Sequence, residues 1–387
     1  MKKEFFGFYP PDEEEINDIW TEAIIAFDAN TLLNLYRYSK STKNDFLKTL
    51  NEYSDRLWLP YQAGYEFHNN RISVIKSQEQ TYKEIGDKLD EIYKKLDNDL
   101  NQFKRHPFIN IDKVKLEISK KFDKIKNDLL NQSEKHPEYL KSDEILPSVT
   151  ELFDDKIGQN YSDQELQSIF DKGKIRYDKN IPPGFSDIPN KKSKGDKHLY
   201  GDLIIWNQLI DKSKSSKSTI IFVTDDRKED WWLKFKGQTI RPREELIKEF
   251  FDETGFRILI YQADLFLNFA KDKLNSKVKE ESINEVKEVR LEDEKNYDNY
   301  LINNISNSRN GLFNDYYKNE NTYKPVSELV KQYDYLLKTP KYISDIVKLI
   351  ENVPKVPQST LDMLKTIDEL PKNSNTIDNT NSKNSQE

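Results

Sequence analysis

Residues 219–226 read TIIFVTDD, a short run of apolar and β-branched residues that ends in two aspartates. Three other runs are apolar along nearly their whole length: residues 23–27 (AIIAF), 56–59 (RLWL) and 257–261 (RILIY). Strands with apolar side chains on both faces are typical of a parallel sheet that is covered by helices. The four runs therefore predict a parallel sheet that is buried on both faces.

Segments with helical signals lie between these runs. One extends from Thr31 to about Leu50, and another extends from about Pro242 to Glu253. Proline suits the first turn of a helix, and Gly255 suits the C-terminal cap of the second segment. Strands that alternate with helices indicate an α/β fold.

A long insertion separates the second strand-like run from the third. Residues 62–130 are polar, with apolar side chains at helical spacing, and His106-Pro107 interrupts the pattern. We therefore expect two long helices that form a hairpin, the second over Val114–Leu130. Residues 136–190 carry several prolines and other loop signals. The whole helical insertion is expected over about residues 72–190.

The composition excludes several classes of protein. A third of the residues are charged, no cysteine is present, and no apolar run reaches the length of a membrane span. Disulfides, thiolate catalysis and cysteine-zinc sites are therefore excluded. The N-terminus lacks the apolar stretch of a signal peptide, so a soluble cytoplasmic protein is expected. The net charge of -7 counts mildly against tight non-specific binding of nucleic acid.

Acidic residues follow the strand-like runs at the points where the strands are expected to end. Asp28 follows the first run, and Asp225 and Asp226 follow the third. Glu66 comes shortly after the second run, and Asp202 stands at the head of an apolar helical segment. Ligands bind at the carboxyl ends of the strands in an open α/β sheet, so these acids are expected to share one cleft.

Carboxylates that lie this close together stay ionised only if a cation compensates their charge. Oxygen ligands suit Mg²⁺ or Mn²⁺, which can activate water for attack on a phosphodiester. Taken alone, Asp28 is equally well explained as a helix N-cap, and Asp202 as a favourable charge at a helix N-terminus. The combination of acids at one edge of the sheet favours a metal-dependent hydrolase.

The sequence around these acids resembles the PIN-domain nuclease superfamily, and more narrowly a bacterial PIN-like family with a long helical insertion. The resemblance covers roughly residues 20–270 and rests on residues 27–33 (FDANTLL), 65–71 (YEFHNNR), 200–206 (YGDLIIW) and 223–232 (VTDDRKEDWW). It implies a parallel sheet sandwiched by helices and an endoribonuclease of a toxin or defence system.

The resemblance also implies roles for individual residues. The expected metal ligands and catalytic acids are Asp28, Glu66, Asp202 and a fourth acid, either Asp226 or its neighbour Asp225. Asn30 and Thr31 are expected to be polar residues of the cleft that contact substrate. Asp230 is expected to contact the metal ligands without binding the metal itself.

Basic and aromatic residues near the acids give further candidates for substrate binding. A basic run precedes Asp202 and consists of Lys191, Lys192, Lys194, Lys197 and His198. We hypothesise that this run, with Lys194 and Lys197 foremost, holds the phosphate backbone; a solvated loop is the alternative. Arg71 is expected either to pair with Glu66 or to contact phosphate. Trp231 and Trp232 are expected to pack on the core rather than to stack on bases.

Two other functions compete with the nuclease. A haloacid-dehalogenase-like phosphatase needs a second aspartate two positions after the nucleophile, where this chain has Asn30. A non-catalytic PIN-like module would bind nucleic acid or a protein partner without cutting. The preference for RNA over DNA rests on the resemblance alone, and an inhibitory or regulatory protein partner is a further hypothesis.

The chain is expected to divide into three parts. Residues 1–273 form the nuclease domain, and residues 274–371 form a charged, mostly helical C-terminal region. Residues 372–387 consist mainly of Asn, Ser, Thr and charged residues and are expected to be disordered.

Overall fold

A four-stranded parallel sheet forms the centre of the fold in the computed structural model. Strands β1 (Ile24–Phe27) and β3 (Ile220–Val223) lie side by side, with β2 (Leu57–Trp58) beyond β1. The other edge strand, β6 (Ile258–Tyr261), pairs with β3. All four residues of β3 are buried, as expected for a strand covered on both faces. The predicted α/β fold with a parallel sheet is confirmed.

The structure describes residues 1–187, 195–235, 238–274 and 277–293. The remaining residues, which include Lys191, Lys192 and Lys194, most of the predicted C-terminal region and the predicted tail, lie outside the described residues.

Helices flank the sheet and form the insertion. They are α1 (Glu13–Glu22), α2 (Ala29–Leu33), α3 (Lys40–Glu52), α4 (Tyr61–Asn101), α5 (Ile111–Glu134), α6 (Ile145–Phe153), α7 (Asp163–Asp178), α8 (Asp196–Leu199), α9 (Gly201–Ser216), α10 (Glu244–Thr254), α11 (Ala263–Leu274) and α12 (residues 280–293). None of the helices in the described part of the chain is both long and apolar enough to cross a membrane.

The predicted helix over Thr31–Leu50 is two helices. Helix α2 ends at Leu33, a 3-10 turn follows, and α3 begins after Ser39. The Ser39 side chain accepts a hydrogen bond from the backbone N–H of Thr42, which caps α3. A serine in this position satisfies a free N–H at the start of a helix, so the chain restarts a helix here instead of continuing one.

A small antiparallel hairpin precedes α10 and was not predicted from the sequence. It consists of β4 (Trp232–Phe235) and β5 (Gln238–Pro242). Pro242 therefore ends a strand, and the prediction that it lies in the first turn of a helix is wrong. Gly255 adopts φ 76° as the C-terminal cap of α10, as predicted.

The insertion contains the predicted pair of long helices. Lys115 pairs with Asp97 at 2.6 Å, and Lys126 pairs with Asp90 at 2.7 Å. The lysine further along α5 pairs with the aspartate that comes earlier in α4, so the two helices run antiparallel and form a hairpin. The following segment was expected to be loop but also holds helices α6 and α7. A capping box between Ser162 and Glu165 starts α7.

Candidate active site

Asp28 lies where β1 ends and α2 begins. Its Oδ1 accepts the backbone N–H of Ala29 at 2.7 Å, so it caps α2. Its Oδ2 accepts the Thr224 hydroxyl and the Asn30 side-chain amide, each at 2.7 Å. Thr224 follows β3, and β1 pairs with β3 directly. The pairing of two adjacent strands thus places Asp28 beside the acids that follow β3.

Glu66 reaches this edge from the first turns of α4. The side-chain amide of Gln62, one turn earlier, donates to Glu66 Oε1 at 2.7 Å. The first residue of α9, Gly201, lies against the same oxygen, since a Cβ built on Gly201 would be 2.5 Å from Glu66 Oε1. Only a residue without a side chain allows α9 to begin at this distance from the carboxylate.

Asp202 is the next residue of α9 and is buried. Its Oδ2 accepts the Lys228 ammonium at 2.8 Å and lies 3.4 Å from the indole N–H of Trp231. The same ammonium is 2.6 Å from Asp226 Oδ2. Lys228 therefore bridges the acid of α9 and the acid that follows β3.

The charges of these acids act on one another. The pKa of Asp28 is raised from 3.8 to about 8; burial is the largest cause, the nearby carboxylates of Glu66, Asp202 and Asp226 add to the rise, and the hydrogen bond from Thr224 opposes it. A carboxyl group with this pKa is largely protonated at neutral pH unless a cation lies beside it. The structure thus brings together Asp28, Glu66, Asp202 and Asp226, which we call the acidic cluster.

Asp225 is directed away from the acidic cluster. Its Oδ1 accepts the backbone N–H of Ala263, the first residue of α11, at 2.9 Å. Its Oδ2 accepts the side-chain amide of Asn34 at 3.0 Å. Burial raises its pKa to about 6. Of the two candidates for the fourth acid, the geometry favours Asp226, and Asp225 orders the start of a helix.

Asn30 ties the ends of the two central strands together. Its Nδ2 donates to Asp28 and lies 3.3 Å from the Thr224 hydroxyl, while its Oδ1 accepts the backbone N–H of Asp225 at 3.0 Å. It therefore orients Asp28, and an amide here gives no support to a phosphatase that needs a carboxylic acid at this position. Thr31 is fully buried and faces the Val223 carbonyl at 3.4 Å. The burial of Thr31 argues against a direct contact with substrate, which stays a prediction.

Arg71 faces a different partner from the one expected. It forms an ion pair with Asp143, whose carboxylate also accepts the Tyr36 hydroxyl at 2.8 Å. Asp143 in turn accepts the backbone N–H groups that begin α6. Arg71 thus holds the insertion against α4 through Asp143, and the expected contact with Glu66 or with phosphate stays a prediction.

Lys197 is the predicted substrate-binding lysine that lies within the described residues. Its ammonium lies 4.1 Å from the ring centroid of Tyr65, the residue before Glu66. This cation–π contact places a positive charge at the start of α4, against the residue that precedes Glu66. Lys194 lies outside the described residues.

The structure also shows functional neighbours that the sequence did not single out, of which Lys228 and Gly201 are the foremost. The signal for Lys228 was its position two residues after Asp226, within one of the quoted motifs. Asp230 accepts the backbone N–H groups of Gly184 at 2.9 Å and Ser186 at 3.0 Å, so it anchors a loop beside Asp202. Burial raises its pKa to about 7.

Trp231 and Trp232 are both buried, as predicted. Trp231 packs against Trp206 and Phe222, with ring centroids 6.0 Å and 5.5 Å away. The pair therefore belongs to the core.

The acidic cluster consists of carboxylates, whose oxygens are the ligands that hard divalent cations prefer. Glu66, Asp202 and Asp226 help to raise the pKa of Asp28, and a cation would compensate the charges that do so. Among the residues that the structure describes, no three acidic or histidine side chains converge tightly enough to enclose a metal ion. The Lys228 ammonium supplies the positive charge between Asp202 and Asp226 instead. The carboxylates of the acidic cluster fit a divalent cation, provided that the Lys228 ammonium moves from its position between Asp202 and Asp226.

Comparison with known proteins agrees with the location of this site. The model of a family described as a PIN like domain matches residues 24–246, a range that contains the whole acidic cluster. The search of curated proteins gave no match. The search of solved structures gave none either.

Proposed function

Because this chain belongs to the PIN like domain family, and PIN domains are usually nucleases, we propose that it is a metal-dependent nuclease that hydrolyses phosphodiester bonds in RNA. The observation that carries the proposal is the convergence of Asp28, Glu66, Asp202 and Asp226 from four separate segments on one edge of the sheet. The choice of RNA, and of a bacterial toxin or defence system as the setting, rests on the resemblance described above.

In this proposal the acidic cluster holds Mg²⁺ or Mn²⁺. When bound, such a cation activates a water molecule and stabilises the charge that develops on the attacked phosphate. Asn30 and Thr224 keep the Asp28 carboxylate in one orientation, and Gly201 leaves room for that of Glu66. Preorganised ligands of this kind avoid the cost of ordering the site during the reaction.

Lys228 has a second role in the same proposal. Its ammonium neutralises Asp202 and Asp226 in the absence of metal. If a divalent cation compensated these acids, the Lys228 ammonium would be available to bind a non-bridging phosphate oxygen of the substrate.

One observation favours a second candidate function. A lysine that already neutralises two acids of the cluster is compatible with a module that binds nucleic acid or a protein and does not cut. The two functions differ in one measurable property, since only the nuclease needs Asp28 and a divalent cation for turnover.

The decisive experiment is cleavage of total RNA and of single-stranded DNA with Mg²⁺ or Mn²⁺, beside reactions with EDTA. The test variant is Asp28→Asn, and the matched control is Asp87→Asn, which removes the same charge from an exposed site on α4. Metal-dependent cutting of RNA that is lost in Asp28→Asn and kept in Asp87→Asn supports the proposal. Binding of RNA without cutting under every condition would favour the non-catalytic module.

A further inference from the structure

The side of α4 that carries Glu66 continues as a row of uncharged polar side chains. Asn70 and Ser73 are four and seven residues after Glu66, a spacing that places all three on one face of the helix. Asn69, three residues after Glu66, lies at the edge of that face. The side chains of Asn69, Asn70 and Ser73 are exposed, and none of them forms a hydrogen bond with a residue that the structure describes. They are therefore available to a ligand that reaches Glu66.

This part of α4 differs in charge from the rest of the helix. The exposed residues from 65 to 73 include no Asp, Glu, Lys or Arg, whereas most of the exposed residues from 76 to 95 carry a charge. Arg71 lies within the first stretch, but it is partly buried and pairs with Asp143. A lysine on this face could form an ion pair with the acidic cluster, as Lys228 does. Amide and hydroxyl groups form no such pair, so they stay available to a phosphate or a base.

An aromatic ring borders the same face. Tyr65 directly precedes Glu66 and is 36% exposed. The contact on its ring is the flexible Lys197 side chain, whose ammonium lies 4.1 Å from the ring centroid. Asn69 is four residues after Tyr65, so its amide lies one helical turn along from the ring. An exposed ring of this kind offers a surface on which a nucleobase can stack.

We propose that the surface formed by Tyr65, Asn69, Asn70 and Ser73 binds the single strand of RNA that extends from the acidic cluster. Asn and Ser side chains contact phosphates and sugars in nucleic-acid complexes, and Tyr stacks on bases. Glu66 and Ser73 are about 10 Å apart along the helix axis, the length of about three stacked nucleotides. This inference rests on the proposed function in taking RNA as the ligand, and it adds the path of the strand along α4.

The test is the binding of a fluorescein-labelled, single-stranded adenosine oligoribonucleotide to the full chain in EDTA, measured by fluorescence anisotropy. Asn70→Ala combined with Ser73→Ala should weaken binding about tenfold, the scale of two neutral hydrogen bonds. The salt dependence of the affinity should not change, because uncharged contacts release no counterions. Tyr65→Leu should also weaken binding about tenfold, whereas Tyr65→Phe should keep most of the affinity, because stacking needs the ring and not the hydroxyl.

The matched controls are Asn98→Ala and Phe103→Leu, which change exposed residues about 50 Å or more beyond Glu66 along the hairpin. Both should bind as the wild type does. Unchanged binding in the double variant and in Tyr65→Leu, with wild-type melting temperatures, would overturn the proposal. An equal loss in the two controls would also overturn it, as would a loss in the double variant with a shallower salt dependence, because the lost contact would then be ionic. Failure of the wild type to bind the oligonucleotide in EDTA would overturn it as well.

The measurement separates this inference from the proposed function. It is made in EDTA and records binding of uncut RNA. If the wild-type protein cuts RNA but the variants of this surface bind as the wild type does, only the strand path along α4 is wrong. If these variants bind more weakly but no metal supports cleavage by the wild type, only the nuclease proposal is wrong.

Discussion

The Cα of Gly201 lies so close to the carboxylate of Glu66 that a Cβ at position 201 would be 2.5 Å from Oε1. Gly201 is the first residue of α9, and the second residue of that helix is Asp202. The absence of a side chain at position 201 is therefore what allows an acid of α4 and an acid of α9 to approach each other.

Gly201→Ala should reduce metal-dependent cleavage by tenfold or more while the protein stays folded. The clash is with the far end of a flexible side chain, so Glu66 can swing away at low cost in stability, but it then leaves the acidic cluster. A displacement of about 1 Å at a catalytic group costs about a hundredfold in rate in well-studied enzymes. The measurements are initial cleavage rate and melting temperature.

Gly86→Ala is the control for this substitution. Gly86 lies in the middle of α4, and a Cβ there meets no other atom within 4 Å. Alanine at this position should stabilise the helix by about 0.5–1 kcal/mol and leave cleavage unchanged. Full activity in Gly201→Ala would mean that the position of Glu66 does not matter for the reaction.

Lys228→Met should lower the free energy of unfolding in EDTA by about 3 kcal/mol, because it removes the ammonium that compensates two largely buried carboxylates. Urea unfolding measures this loss. Addition of Mg²⁺ should restore more stability to Lys228→Met than to the wild type, since a ligand that binds only the folded state stabilises it.

Lys214→Met is the matched control for Lys228→Met. Lys214 forms an exposed pair with Glu253 at 2.6 Å, and exposed pairs contribute less than about 1 kcal/mol. If Mg²⁺ stabilised the two variants equally, the cation would not bind at the position that the Lys228 ammonium occupies.

Asp28→Asn should make the folded protein more stable at neutral pH in EDTA, although it should abolish cleavage. The folded-state pKa of Asp28 is about 8 against an ordinary value of 3.8, so the folded chain holds this proton more tightly than the unfolded chain does. The contribution of Asp28 is therefore most favourable below pH 3.8 and is progressively lost as the pH rises to 8.

The difference in melting temperature between Asp28→Asn and the wild type should accordingly grow between pH 5 and pH 8. Asp87→Asn should show no such growth, because Asp87 is exposed. A difference that shrinks with rising pH would show that the pKa of Asp28 is not raised in the folded protein.

The sheet could be predicted from the sequence because strands buried on both faces are continuous apolar runs, and the acids could be located because they follow those strands. The break between α2 and α3 could not be predicted from apolar spacing, which continues through it. Its cause is the local cap at Ser39.

Arg71 has Asp143 as its ion-pair partner for a geometric reason. Arg71 is five residues after Glu66 on α4. An α-helix has 3.6 residues per turn, so the Arg71 side chain points about 140° away from that of Glu66. Proximity in sequence therefore does not place it on the same side of the helix as Glu66. Lys228 was missed for the opposite reason, since its second partner, Asp202, comes from a distant segment whose position only the folded chain defines.

The neighbours Asp225 and Asp226 give the sharpest separation of roles. The Asp225 carboxylate faces α11, whereas the Asp226 carboxylate meets Lys228 and the cluster. Asp226→Asn should therefore abolish metal-dependent cleavage. Asp225→Ala should keep most of the cleavage and lose about 1 kcal/mol of stability, the usual cost of removing a helix cap. Loss of cleavage in folded Asp225→Ala, with activity retained in Asp226→Asn, would reverse the assignment of the fourth acid.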